Sequence, residues 1–344
     1  MKMNKKSVFN FTKRYLAYMI IVAVVVFYAA LSMTGGAKTT DLYLLEKIAI
    51  AVILSVSLGM VVGFLGELSL GHAGFMCVGA YLGGKISVLL EPVLGNSLGA
   101  LLICTVAGGL VAALAGLIIG LPALRLRGDY LAIVTLAFGE IVRSLFMNAP
   151  ADLFGGTLGL ETPRFDKKYL FIVAFVFVLM TIAVTQNLLH SKHGRAVTSI
   201  RDNEIAARAM GIDVTKYKLL IFMISSFFAG VAGVLFSYSN YRIQSASFDY
   251  NYSIEILVMV VLGGIGSING SIVAATLITF LNVKLQTILT GDLAVLQNLF
   301  YALILIVIVI YKNAPKLKSF RERYNLKKIT TVFKKKKVQE KEAE

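Results

Sequence analysis

Apolar residues in this chain come in long blocks separated by short polar joins. Blocks of about 20 residues match the length a helix needs to cross a hydrocarbon layer about 30 Å thick. Ten segments read this way, at residues 15–33, 43–65, 68–90, 97–121, 129–148, 169–189, 217–240, 251–267, 271–290 and 294–311. The pattern predicts an all-α polytopic membrane protein with about ten transmembrane or re-entrant helical segments. The third, eighth and ninth segments are short or interrupted by glycine, so they are the candidates for broken or re-entrant helices. The first follows a basic stretch, as a signal peptide would. Its apolar run is longer than a signal's, which predicts an uncleaved span.

Composition agrees. Of 344 residues, 57% are hydrophobic and 15% charged, more apolar surface than one soluble core of this length could enclose. The formal net charge of +15 would suggest nucleic acid, but its distribution argues otherwise. Half of the 34 basic residues lie at the two ends: Lys2, Lys5, Lys6, Lys13 and Arg14 before the first segment, the others after Tyr311. Basic flanks on apolar spans mark the cytoplasmic side and its anionic leaflet. Residues 1–14 thus form a basic cytoplasmic N-terminus, 15–311 a transmembrane domain, and 312–344 a lysine-rich cytoplasmic tail expected to be disordered or to lie on the membrane. The basic joins Leu124–Arg127 and His190–Lys218 also fall inside when spans are counted. Cys77 and Cys104 both sit in apolar segments and form no zinc pattern or disulfide framework.

The join at 190–218 holds more than a connector requires. Within it, Arg201-Asp202-Asn203-Glu204-Ile205-Ala206-Ala207-Arg208-Ala209-Met210-Gly211 reads as a two-turn helix. Asp202 or Asn203 is the expected N-cap, Glu204 suits the positive first turn, and Gly211 suits a left-handed C-terminal position. Ile205, Ala206, Ala209 and Met210 share an apolar face. So short a helix is marginal alone. Its face is expected either to dock in a groove of a partner protein or to lie on lipid, with Arg201 and Arg208 at the headgroups.

This run resembles the coupling loop of ABC-importer permeases, in which a Glu-Ala-Ala triplet precedes a glycine. Here Ile205 interrupts the triplet, a form similar to that of the branched-chain amino acid permeases. Further stretches carry the same likeness: Gly66-Glu67-Leu68-Ser69-Leu70-Gly71-His72-Ala73-Gly74-Phe75, Leu124 through Ile141, the Gly155–Leu160 run, and Leu262-Gly263-Gly264-Ile265-Gly266-Ser267-Ile268-Asn269-Gly270. On these residues the chain resembles the LivM-type permease subunit of branched-chain amino acid ABC importers.

The resemblance implies an ABC-importer permease bundle in a bacterial plasma (inner) membrane, forming the path for leucine, isoleucine or valine. It implies coupling to ATPase subunits through Asp202, Asn203, Glu204, Ala206, Ala207, Met210 and Gly211. It also implies a second homologous permease subunit, two ATPases, a substrate-binding protein outside and membrane lipid as partners, with no nucleic acid. The chain carries no G-x-x-x-x-G-K-S/T loop, so ATP and magnesium are expected on the partner subunits, with no cofactor or metal here and no catalysis by this chain. The alternatives are a permease for other amino acids, amides or urea, and a proton-coupled transporter using Glu67 or Glu140.

Candidate pathway or gating residues are Gly66, Glu67, Ser69, Gly71, His72, Glu140, Gly263, Gly264 and Gly266. The glycines permit either close helix packing or unwound backbone at a cavity. Met60-Val61-Val62-Gly63 and Met259-Val260-Val261, followed by Gly263, are loosely alike, which suggests either a duplicated half or merely two tight packing sites. Glu140 and Arg143 are three apart and either pair on one helix or face the substrate path. Glu67 sits by the break after the second segment, in a hydrogen-bonding, gating or interfacial position. His72 has no partner at metal-ligand spacing.

Overall fold

The computed structural model describes residues 18, 21–32, 36, 38–126, 128–288, 302, 303 and 306. The basic N-terminus, Arg127, most of the tenth segment and the lysine-rich tail lie outside the described residues. The chain divides into two compact units after Phe280. Of the second, the described residues are the last turns of α12, to Ile288, and the helical positions Ala302, Leu303 and Ile306. All that follows concerns the first unit.

Its helices are α1 (Ile21–Ser32), α2 (Thr39–Gly59, continued by a π-helical turn, Met60–Leu65), α3 (His72–Leu94), α4 (Leu98–Ala123), α5 (Asp129–Met147), α6 (Ala151–Phe154), α7 (Lys167–His190), α8 (Lys192–Asp202), α9 (Glu204–Ala209), α10 (Val214–Asn240), α11 (Tyr250–Gly263) and the start of α12 (Ile268–Ile288). Among the described residues seven helices are long and apolar enough to cross a membrane: α2 with its π turn, α3, α4, α5, α7, α10 and α12. α1 and α11 are shorter apolar helices. The ten-segment reading thus holds approximately. The third segment starts later than expected, at His72, because residues 66–71 are not helical. The eighth ends at Gly263, where Gly264 and Gly266 take left-handed φ values.

Polar caps start several of these helices as their sequence dictates. Ser97 Oγ accepts from the Ala100 N–H at 3.2 Å, and Asp166, Asp213 and Asp249 accept from the N–H of Lys168, Lys216 and Tyr252 at 3.0–3.1 Å. Each satisfies a donor that the first turn leaves without an intrahelical partner.

The bundle has two distinguishable ends. At one, β1 (Leu160–Glu161) and β2 (Arg242–Ile243) pair antiparallel, joining the approach to α7 with the exit of α10. At the other lie α8 and α9. α2 runs from the strand end, where Tyr43 donates to Asn240 at 3.2 Å, to the α8–α9 end, where Arg201 meets Gly63. α2 is buried along almost its whole length, while α4, nearly as apolar, turns Leu102, Val106, Leu110, Leu114 and Ile118 outward.

α10 packs on α2, α3, α4 and α7. A Cβ placed on Gly79 of α3 would lie 2.4 Å from the Gly230 Cα of α10. Backbones that approach this closely gain dispersion contacts in a medium where burial of apolar surface drives no association. The two look-alike stretches also meet. A Cβ on Gly63 would lie 2.6 Å from the Gly266 nitrogen, and both helices, α2 and α11, run toward the α8–α9 end.

Candidate coupling site

The 190–218 join folds as two helices rather than one. α8 fills it from Lys192 and buries Val197 and Ile200 against the bundle. Ser191 starts it, accepting from the Gly194 N–H at 3.2 Å. Asn203 then breaks the helix in an extended conformation (φ −159°, ψ 102°) and its Oδ1 accepts from the Ala206 N–H at 3.0 Å. Asn203, not Asp202, is therefore the cap of α9. Asp202 instead accepts from Arg201 Nε and Nη2 at 3.1 and 3.0 Å. Gly211, at φ +82°, ends the turn.

α9 has two contrasting sides. Ala207 is buried against its own chain, whereas Ile205 and Met210 are 74% and 82% exposed. Ala206, one turn back from Met210, is exposed with them. Glu204 accepts from Arg208 Nη2 at 2.9 Å on the outer side and from Lys218 Nζ at 3.2 Å on the inner side. Lys218, on the first turns of α10, also donates to Glu67. One cation thus ties three elements together: α9, α10 and the 66–71 join. Lys218 is almost wholly buried and Glu67 largely so. At that burial a single lysine between two carboxylates is a strong constraint, since removing it leaves the Glu67 carboxylate buried without this cation and Glu204 with Arg208.

Arg201 supplies a second tie. Its Nη1 donates to the Gly63 carbonyl at 3.2 Å, an oxygen of the π turn. Its side chain lies against Gly66, where a Cβ would come within 2.7 Å of the Arg201 Cγ. Gly66 also requires its left-handed φ of +81° to close the π turn. A cleft of about 230 Å³, lined by Leu124, Arg125, Glu204, Arg208, Val214, Thr215 and Lys218, opens beside this cluster.

The 66–71 join leads from this end into the interior. Ser69 is buried, the Leu70 N–H donates to Thr135 Oγ1 at 3.0 Å, and Gly71 stands against the Thr135 carbonyl. His72, fully inside, is 2.8 Å from Ser57 Oγ through Nε2. The Ala73 N–H donates to Ser253 Oγ of α11 at 3.1 Å. The first turns of α3 and α11 therefore meet within the bundle, away from both ends. Gly263 and Gly264 close α11, and Gly266 packs on Gly63.

Glu140 and Arg143 form the expected pair on α5, at 2.8 Å. They stand apart from the Lys218 cluster. Among the described residues no three His, Cys, Asp or Glu side chains converge as metal ligands would.

Two functional-looking residues escaped the sequence reading. In sequence Lys218 counts only as one of the basic residues of the 190–218 join. The signal was its position one turn inside an apolar helix. Glu46, buried in α2, accepts from Ser239 Oγ at 2.7 Å, while its other carboxylate oxygen bonds to no described residue. Lys47 beside it donates to Asn240 at 3.0 Å and lies 4.0 Å above the Phe236 ring. A Glu-Lys dipeptide early in a membrane-length apolar run was the visible sign.

Membrane-length helices packed through glycine, a non-helical join that turns into the bundle and ion pairs held inside it mark a multi-pass membrane protein. The chain belongs to the branched-chain amino acid transport system permease component family, whose model matches residues 42–311. It is similar to the high-affinity branched-chain amino acid transport system permease protein LivM of Salmonella typhimurium, 39% identical over 261 residues, covering 67% of this chain and 60% of that protein. The LivM protein of Escherichia coli is 37% identical over 292 residues, covering 76% of this chain and 66% of its own length. The ribose import permease protein RbsC of Escherichia coli is 29% identical over 272 residues, covering 76% and 79%. The chain therefore spans 60–66% of the two LivM relatives. No solved structure matches it.

Proposed function

We propose that this chain is the transmembrane permease subunit of an ATP-driven importer that carries branched-chain amino acids inward. α9 is the element through which a separate ATPase drives it. The observation that carries this reading is the two-sided character of α9. Ile205 and Met210 project from a six-residue helix whose inner side is tied by Glu204 through Lys218 to Glu67. An exposed apolar pair on a helix too short to persist alone suits a groove in a partner protein. The rigid tie behind it gives a push somewhere to go.

In this scheme the α8–α9 end is cytoplasmic and the strand end faces a substrate-binding protein. A second permease subunit completes the path, and ATP with magnesium is used by two ATPase subunits. The chain itself is not an enzyme and holds no cofactor. ATP binding would pull α9, and through Lys218 and Arg201 would bias the 66–71 join between two arrangements. The free energy available is only the difference in partner affinity between those arrangements. The relatives support an amino acid over a sugar: the Salmonella and Escherichia LivM proteins are 39% and 37% identical, against 29% for the ribose permease.

The test is uptake of leucine, isoleucine and valine into proteoliposomes holding the complete assembly, with and without ATP and with the binding protein supplied outside. ATP-dependent accumulation is expected. Accumulation driven by a proton gradient without ATP would replace this reading with proton-coupled transport.

A further inference from the structure

The Glu140–Arg143 pair has no part in the coupling cluster, yet its placement is costly unless it serves something. α5 is 19 residues long and Glu140 lies 11 residues into it, about 16 Å along a helix of about 28 Å. The helix turns Ile133, Ile141 and Leu145 outward, and the pair flanks that face, each side chain close to 30% exposed. A carboxylate and a guanidinium half open at this depth do not face lipid; they border water or another polypeptide.

The pair is also aimed. Glu140 Oε1 accepts from the N–H of Tyr250, the first residue of α11, at 3.1 Å, and its Oε2 accepts from Arg143 Nε at 2.8 Å. Arg143 Nη2 closes on the same oxygen. The remaining edge of the guanidinium, at Nη1, donates to no described residue. Around the pair the exposed Ser144, Asn148, Tyr250 and Asn251 border the apolar Ile141 and Leu145.

Resting on the importer reading, we propose that Glu140 and Arg143 form a subsite for the zwitterionic head of an α-amino acid on the translocation path. The substrate ammonium donates to the Glu140 carboxylate, already held in place by the Tyr250 amide. The substrate carboxylate takes the open Nη1 edge of Arg143 in a charge-assisted, forked contact. An aliphatic side chain on that head then falls on the exposed Ile141 and Leu145. When the site is empty the two groups satisfy each other, so neither stands as a bare charge. No covalent step is involved. A subsite that recognises only the head group is compatible with several apolar side chains, which suits a carrier fed by a binding protein.

The experiment uses the complete assembly in proteoliposomes, with leucine as the probe and leucine delivered per ATP hydrolysed as the readout. Glu140→Gln and Arg143→Gln are each expected to lower that ratio at least tenfold, with partial recovery in Arg143→Lys. The double exchange, Glu140→Arg with Arg143→Glu, keeps a helical ion pair but reverses its direction and loses the carboxylate at the Tyr250 amide. A pair that only braces the helix recovers the wild-type ratio in this variant, and that result overturns the proposal, as does a wild-type ratio in either Gln variant. Ser144→Cys provides an independent reading. It is expected to react with a membrane-impermeant maleimide from the strand side, and more slowly in the presence of leucine-loaded binding protein. Reaction with a permeant reagent only, or no effect of leucine, overturns the proposal. Failure of the importer reading looks different: the wild-type assembly itself shows no ATP-dependent uptake.

Discussion

Arg201 reaches across 138 residues of sequence to donate from Nη1 to the Gly63 carbonyl at 3.2 Å. This bond joins the last turn of α8 to the π turn of α2. Arg201, the first residue of the 201–211 run, thus holds the turn that leads into the 66–71 join, and Lys218 holds the start of that join through Glu67.

Lys218 is a cation shared by two carboxylates inside the bundle. Lys218→Met leaves Glu67 and Glu204 without their shared cation, and breaking a buried pair of this kind costs about 3–5 kcal/mol. The expected outcome is a lower melting temperature in detergent and ATP hydrolysis no longer linked to uptake. Adding Glu67→Gln and Glu204→Gln to Lys218→Met should recover most of the melting temperature but not the linkage. A triple variant as unstable as the single one would show that the carboxylates are not the source of the loss.

Ile205→Ala with Met210→Ala removes mostly exposed apolar surface. Surface changes of this kind move stability by about 0.5 kcal/mol or less. The variant should melt as the wild type does while its co-purification with the ATPase subunits drops sharply. Undiminished co-purification would mean that α9 is not the docking helix.

Two glycines should respond differently to alanine. At Gly63 the added methyl meets the Gly266 backbone at 2.6 Å, an overlap that costs typically about 1–3 kcal/mol because the π turn and the turn between α11 and α12 must part. At Gly211 nothing lies within 4 Å, so only the left-handed conformation is penalised, by roughly 1–2 kcal/mol. Thermal unfolding in detergent measures the total for each. Crosslinking between cysteines placed at 62 and 265 reports the separation of the π turn from the α11–α12 turn, which only Gly63→Ala should increase.

The strand ribbon has a pH signature. Arg242, by its hydrogen bond to Glu161 and then by its charge, holds that carboxyl below the ordinary carboxylate range. A depressed folded-state value means a contribution present above the ordinary range and lost as pH falls through the lowered value. Hydrogen exchange at the Thr162 amide, which bonds to the Tyr241 carbonyl at 2.7 Å, should therefore stay protected through the ordinary range and quicken only below it. In Arg242→Gln the quickening should move up to the ordinary range.

Much of the bundle was legible because hydrophobic blocks of membrane length have few other readings. The Glu140–Arg143 pair was legible too, since three residues on a helix bring side chains together. Burial was not. α2 and α4 are almost equally apolar, yet one is enclosed and the other turns outward, because hydropathy marks membrane insertion and not which neighbours a helix meets. The Gly63–Gly266 contact lay behind a sequence likeness that had no distance attached. The 190–218 join hid α8, whose polar residues gave no span-like signal. Its division at Asn203 depends on one side chain choosing the backbone over the helix. Lys218 was the largest omission, because a cation at a span edge is ordinarily a headgroup anchor, and only the fold brings two carboxylates to it.

One consequence concerns what can move. α10 follows α9 after four residues and continues for 27, a rod of about 40 Å. Its far tip holds Asn240, which receives Tyr43 and Lys47. Along its shaft, Gly230 and Gly233 seat so tightly on α3 that sliding would drive backbone into backbone. α3, α4 and α10 therefore form one closely seated block that runs unbroken from the neighbourhood of α9 to the opposite rim of the bundle.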